Sequence, residues 1–520
     1  MTVVDAVVVG GGHNGLVAAI RLADAGWDVL VLEAGPEPGG AVRDAEVCAP
    51  GFRTDLFSAF YPMTAASPVF AGLGLHEHGL RWAHAPAVLA HPRPGRSAVV
   101  LERDPSATAK RLDAESPGDG DAWIGLQDQW DRLGVRMLDA LLSPFPPVRA
   151  GARLVARGRS DLLDLARLAV LPVRRLAAER FRGDGPALLL AGNALHADVT
   201  PDAAPSALLG WMLVGLAQSV GFPVPVGGAG EISRALAARL VAAGGVIRCD
   251  ARVDRIRVEG GRAVGVECGG EAVHARRAVL AACDAQVLYD RLLPVDVLPP
   301  AFAAGLRRFE RAHSTVKVDW ALDRPVPWSD PDVAGAGTVH IADSLDELTM
   351  TTAELAIGRV PERPFLLVGQ MTTADPTRSP PGTESLWAYT HVPQTARLAG
   401  PALDRFVERM EARLVAHAPG FRDAIVGRHV QGPADLEAAD PSLVGGDISG
   451  GSAQLHQQLV FRPVPGWARP ETPVTGLYLA SSSAHPGGSV HGICGDNAAR
   501  AALWHDRARR ARAFLTRSTP

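Results

Sequence analysis

Cysteine is scarce in this chain and never clustered. Cys48, Cys249, Cys268, Cys283 and Cys494 form no Cys-x-x-Cys pair and no Cys/His group, which excludes a disulfide scaffold, a zinc site and a dithiol redox pair. A reducing compartment fits that usage. Excess positive charge is lacking as well. With 52 Lys and Arg against 56 Asp and Glu the formal net charge is -4, so there is no basic footprint for a phosphate backbone and a nucleic-acid partner is not expected. Long apolar runs are missing too. The longest, "ALLGWMLVGLA" at 207–217, falls short of the roughly 20 residues that span a bilayer and reads as core or pocket lining. The opening residues enter an apolar strand pattern without a basic leader and a cleavable apolar stretch, so a cytoplasmic location is expected.

The 520 residues, 47% hydrophobic and 21% charged, have an ordinary globular composition and length for roughly two to four domains at about 150 residues each. Apolar patterning predicts strands near 3–9, 28–33, 246–249, 262–267, 278–282, 364–369 and 475–480, and helices near 14–25, 231–243, 402–416 and 496–512. The first strand, helix and second strand form a βα unit, which calls for a parallel sheet. Pro-punctuated stretches such as "SPFPPV" and "DRPVPWSDPD" read as insertions. The fold class is therefore α/β: a Rossmann-like domain (1–90, 220–290 and 425–520) interrupted by a mixed α+β substrate domain (91–219 and 291–424).

The most informative stretch is "VVVGGGHNGLVAA" at 7–19. Gly10, Gly12 and Gly15 make a G-x-G-x-x-G between a strand and a helix, the context in which that pattern carries meaning. The first glycine permits the tight turn, the second lets a pyrophosphate approach the backbone, and the third lets helix and strand pack closely. Glu33 ends the second strand 18 positions beyond Gly15, placed to accept hydrogen bonds from ribose hydroxyls. Gly39 and Gly40 follow as a second close-approach point, a spacing typical of flavoproteins that hold FAD extended along the domain. His13 reads as a loop-shaping residue.

"GGGHNGLVAA", "GGAV", "PGFRTD" at 50–55, "VPVGGAGEISRALAARL", "GGDISGG" and "HPGGSVHGICGDNAARAAL" resemble the phytoene desaturase-related flavoproteins of the FAD-dependent amine oxidase superfamily, along nearly the whole chain. The resemblance implies FAD as cofactor, Val253 against the adenine end, and Gly487, Gly488, Ser489 and Val490 beside the isoalloxazine. It also implies a following helix, opening at Asp496 and Asn497, aimed at the ring's pyrimidine side, where a positive helix end favours negative charge. No second complete G-x-G-x-x-G supports a tightly bound NAD(P)H. Two departures stand out. Ser481 and Ser482 occupy the place where related amine oxidases carry a glycine and a carboxylate, and Ser489 that of a glycine usual in carotenoid desaturases.

The reaction class that follows is removal of hydrogen from, or isomerisation of, a small apolar or polyene-like substrate held between the domains. Amine or amino-acid oxidation is an alternative within the class, and an FAD-binding scaffold one outside it. For proton transfer the candidates are His485, beside the expected flavin loop, and Lys317, on a strand. Bracing and solvation, respectively, are their plain readings. Asp496 is explained equally by helix capping. His313, His391 and His456 have no supporting context. The sequence does not name the electron acceptor, and oxygen, a quinone or another carrier all stay open. The stretch 149–182, with nine arginines against Asp161, Asp164 and Glu179, allows peripheral membrane contact, although a solvated helix pair explains it more simply. The sequence gives no indication of oligomeric state.

Overall fold

The computed structural model describes residues 2–156, 159–294 and 296–517. Its first strand, Thr2–Val9, alternates between two cores: Ala6 and Val8 pack under the first helix, while Val4, Val7 and Val9 pack on the opposite face. Burial on both faces is what a central parallel strand requires. This strand lies between Val29–Leu32 and Glu271–Ala281, parallel to both. The sheet runs Val253–Glu259, Arg262–Cys268, Glu271–Ala281, Thr2–Val9, Val29–Leu32, Val246–Arg248. Glu271–Ala281 is long enough to pair one edge twice, first with Arg262–Cys268 antiparallel and then with Leu477–Leu479 parallel. The sheet is therefore mixed where the sequence pattern called for a parallel one, because the stretch 253–281 folds back on itself as a meander.

A second mixed sheet has the order Ile425–Gln431, Ser314–Leu322, Glu384–Val392, Leu366–Gln370, Ala336–Ile341, Ala87–Arg93, Arg96–Leu101. Ala87–Arg93 crosses the expected boundary at residue 90, and Ile425–Gln431, placed with the nucleotide domain in the sequence reading, is an edge strand here. Helices cover this sheet. The apolar run at 207–217 forms part of the helix Ser206–Ser219, with Trp211 buried edge-on to Trp130 at 5.2 Å. Among the described residues no helix is long and apolar enough to cross a membrane.

The two halves are pinned by a buried ionic network. Arg378 and Asp55, both with fully buried side chains, form an ion pair. Asp55 also accepts the Ala229 amide at 2.7 Å, and Asp375 accepts the Gly227 amide at 2.8 Å. "PGFRTD" and "VPVGGAGE" are thus tied to the second sheet's end through one guanidinium. Replacing Arg378 by Met leaves Asp55 buried without its counter-ion, and a loss of about 3–5 kcal/mol is expected. Urea denaturation checks this; a midpoint within error of wild type would contradict the pinning role.

Candidate functional site

Between the sheets lies a cleft of about 790 Å³. One end is lined by Glu33, Val253 and Arg252, the middle by Gly10, Gly12, Gly40 and Arg43, and the far end by residues of both sheets. The middle is built from bare backbone. Gly10 has φ 97°, and a methyl on it would meet the Ala282 carbonyl oxygen at 3.2 Å. A methyl on Gly15 would drive into the Gly10 carbonyl oxygen, so only glycine lets this helix sit on this strand. A methyl on Gly12 would meet nothing nearer than the Gly40 Cα, at 3.8 Å. Gly12 is therefore bare for the sake of something in the cleft. It carries no side-chain cap for the helix His13–Asp24, whose first amides are left to a ligand.

Glu33 accepts the Gly11 and Gly35 amides at 2.6 and 2.8 Å. It thereby fixes the loops on either side, and an ionised carboxylate retains lone pairs for ribose hydroxyls. Arg43 supplies positive charge at the middle and is held by the Gly40 and Ala439 carbonyls at 2.9 and 2.8 Å. These features fit an extended dinucleotide.

At the far end the C-terminal loop is bolted in from several sides. Ser67 donates to the His491 carbonyl at 2.7 Å, and Thr64 donates to that of Val490. Gly495 lies so close to the Asn14 carbonyl that any side chain would collide. Arg462, almost wholly buried, donates to the carbonyls of Ser482 and Gly450, each at 2.7 Å, and of Ser452 at 3.0 Å. It clamps the "GGDISGG" loop to the loop after the last strand. The result presents Ser489 and Val490 to the cleft. Ser489 has φ 95°, a left-handed backbone that glycine adopts without strain and serine does not.

Not every residue singled out in the sequence reaches the cleft. Gly15 and Gly39 serve backbone packing behind it. Gly487 and Gly488 shape the loop, with Gly488 pressed against the Ser449 carbonyl. The helix opens at Ile493, three residues earlier than expected. Asp496 is bound by Arg21 and Arg500, each at 2.7 Å, and neither it nor Asn497 lines the cleft. His485 also lies outside the lining, with Nε2 3.2 Å from the Ser143 carbonyl and the ring edge-on to Phe145. Burial holds its pKa below the ordinary value. Bracing describes it, and it is corrected as a proton-transfer candidate.

Lys317 does line the cleft. It forms a buried ion pair with Asp319, and its ammonium lies 6.0 Å from the centre of the Trp387 ring. Burial raises Asp319 to about 6. Trp387 and Tyr389 stack at 5.8 Å on one face of their strand, and Phe60, Tyr61, Leu367, Thr315 and His196 complete the wall. These second-sheet residues carry no local motif. Only their alternation on Ser314–Leu322 and Glu384–Val392 hints that they share a face. Cys283 also lines the cleft, but burial and the neighbouring Asp284 push its thiol up to about 12, so it is no thiolate nucleophile. No group of three or more His, Cys, Asp or Glu among the described residues is arranged to hold a metal ion.

The model of the family described as "Flavin containing amine oxidoreductase" matches residues 15–502. A Mus musculus protein named "Pyridine nucleotide-disulfide oxidoreductase domain-containing protein 2" is 30% identical over 95% of this chain and 92% of its own. The "zeta-carotene-forming phytoene desaturase" of Myxococcus xanthus is 29% identical over 92% and 90%. Among solved structures, an oxidoreductase from Methanosarcina mazei superposes with a TM-score of 0.64 at 17% identity, covering 96% of this chain and 99% of that one; this likeness is of fold.

Gly12→Ala tests what the bare turn is for. The added methyl makes only an ordinary contact with the Gly40 Cα, so unchanged stability is expected, with flavin retention weakened at least about tenfold, or roughly 1.4 kcal/mol. The 450 nm absorbance of the purified variant measures this, and full flavin occupancy would contradict the assignment.

Proposed function

The chain belongs to the flavin-containing amine oxidoreductase family, and from that premise we propose that this FAD-dependent oxidoreductase dehydrogenates a small apolar, polyene-like substrate in the cleft between its sheets. FAD supplies a two-electron acceptor for hydrogen removed from carbon. The protein's part is to order the substrate, exclude water and move protons. The observation that carries the reading is the far wall: Phe60, Tyr61, Leu367, Trp387 and Tyr389 turn apolar surface toward the space beside Ser489 and Val490. A wall of this kind buries hydrocarbon at about 25 cal/mol per Å² and offers it flat ring faces. The Myxococcus xanthus relative, aligned along nearly all of both chains, supports the same choice.

Amine oxidation is the second reading, favoured by the aromatic faces of Trp387 and Tyr389, which suit a cation as well as a polyene. Ser481 and Ser482 line the cleft where related amine oxidases carry a glycine and a carboxylate, and this weighs against it.

Anaerobic mixing with a panel of micellar polyenes, monoterpenes and aliphatic amines separates these readings. Bleaching of the flavin by an apolar member is expected, and readmission of oxygen or addition of a quinone then reports the electron acceptor. Bleaching by amines alone would replace the proposal with the oxidase, and no bleaching at all would favour the scaffold.

Peripheral membrane contact belongs to the same proposal. Val148, Leu163 and Val170 are exposed on helices rich in arginine, although Arg167 and Arg175 are paired with Glu179, and Arg174 with Asp202. Arg157 and Gly158 of this stretch lie outside the described residues. Co-flotation with anionic vesicles at low salt, lost at high salt, is the expected behaviour; equal flotation with neutral vesicles would remove the electrostatic argument.

A further inference from the structure

Dehydrogenation releases a proton as well as a hydride, and the cleft's lining includes one hydroxyl backed by a base. Thr315 lies directly across from His391 in the register of Ser314–Leu322 and Glu384–Val392. Its Oγ1 is 3.4 Å from His391 Nδ1, a loose contact of the kind that tightens when a substrate is bound. On the other side, His391 Nε2 is 3.0 Å from Asp198 Oδ1, with both side chains about nine-tenths buried. The contact is off the hydrogen-bond axis and becomes an ion pair when the imidazole takes a proton. Asp198 ends the short turn Leu195–Ala197 with φ 56°. That is a left-handed conformation, uncommon outside glycine and found in strained, over-determined places. The backbone of His313 donates to its carboxylate, and its carbonyl accepts Gln454 Nε2 at 3.2 Å.

We propose that Thr315, His391 and Asp198 form the proton relay of this enzyme, with Thr315 as the group that meets the substrate and Asp198 as a positioning residue. This rests on the dehydrogenation reading above. One hydrogen would leave, with the electron pair of its C–H bond, to FAD held in the cleft. The other leaves its carbon as a proton, and the pair it leaves behind becomes the new π bond. That proton passes to Thr315 Oγ1 while the hydroxyl's own proton passes to His391 Nδ1. The Asp198 carboxylate, beside Nε2, offsets the charge of the imidazolium. Water then takes the proton and resets the relay.

The groups facing His391 set the pH at which this works. They are Asp198, Asp447, His196 and His313 from neighbouring segments and Tyr389, edge-on at 5.5 Å, from its own strand. Burial lowers the imidazole's pKa, Asp198 more than offsets this, and the net position is above the ordinary value. Only neutral His391 accepts a proton, so the rate falls as pH drops through that value. Asp198→Asn removes the upward pull and moves this acid limb to lower pH.

The test uses the flavin-loaded protein and two measurements. In the first, single-turnover bleaching by whichever panel member reduces the flavin is followed from pH 5 to 9. Thr315→Val and His391→Gln are expected to lose roughly 10²–10⁴-fold in saturating rate with the half-saturating concentration little changed. Thr315→Ser is expected to recover most of it, and D198N to shift the acid limb downward. In the second, ¹⁵N-histidine NMR follows the His391 ring, whose titration is expected to fall in D198N and whose Nδ1 resonance to move in T315V. Bleaching with the acid limb and rates unmoved in all variants would overturn the relay and leave the redox reading intact. No bleaching by any probe would overturn the redox reading and with it the relay's part in catalysis, even with the His391 couplings present. Absence of those couplings overturns the relay whatever the kinetics show.

Discussion

The contact on which the rest depends is the near-collision of two stretches of backbone. The helix His13–Asp24 can rest on the strand Thr2–Val9 only because Gly15 places no side chain against the Gly10 carbonyl. That approach aims the helix's uncapped amides along the cleft floor, where Gly12 and Gly40 leave backbone open to a phosphate. Glu33 then braces the turn from the next strand by taking the Gly11 amide. The C-terminal helix repeats the device from the other direction, with Gly495 pressed on the Asn14 carbonyl. One small volume around residues 10–15 thus receives strand, helix, second strand and last helix, and a side chain at Gly15 or Gly495 would displace an element rather than a loop.

The second sheet contributes chemistry rather than cofactor grip. Thr315 and Lys317 point from one strand to the same side, with His391 and Tyr389 across from them and Trp387 stacked on Tyr389. This wall faces the loop that carries Ser489 and Val490, and it is held at its distance by buried charge. Arg378 joins Asp55 on the nucleotide side to Asp375 on its own side, while Arg462 clamps two loops through carbonyls alone. Buried guanidinium groups suit this work because a planar fork of donors satisfies several acceptors at once. Two sheets assembled from interleaved segments of the chain consequently enclose one shaped cavity.

The nucleotide half was legible because its signals are local: a strand of alternating valines, glycines at fixed offsets, a helix and an acidic strand end all fall within residues 3–33. The strands at 246–248, 262–268 and 477–479 were legible for the same reason. The antiparallel return of 253–281 and the transfer of Ile425–Gln431 to the other sheet were not, since pairing partners depend on contacts far along the chain. His485 illustrates the limit. Its motif neighbours Ser489 and Val490 line the cleft, yet its ring turns toward Phe145 and Ser143, contributed by a helical insertion more than three hundred positions away. Asp496 likewise spends its charge on Arg21 and Arg500.

The sequence by itself determined the cofactor, because a pyrophosphate against bare backbone demands glycines at fixed intervals, and intervals are written in the chain. Only the tertiary structure decided which side chains line the far wall of the cleft and which stand behind them. Thr315, His391 and Asp198 come from two strands and a distant turn, and no periodicity links them. Their association follows from strand register and from the turn at Asp198, and these are properties of the packed molecule.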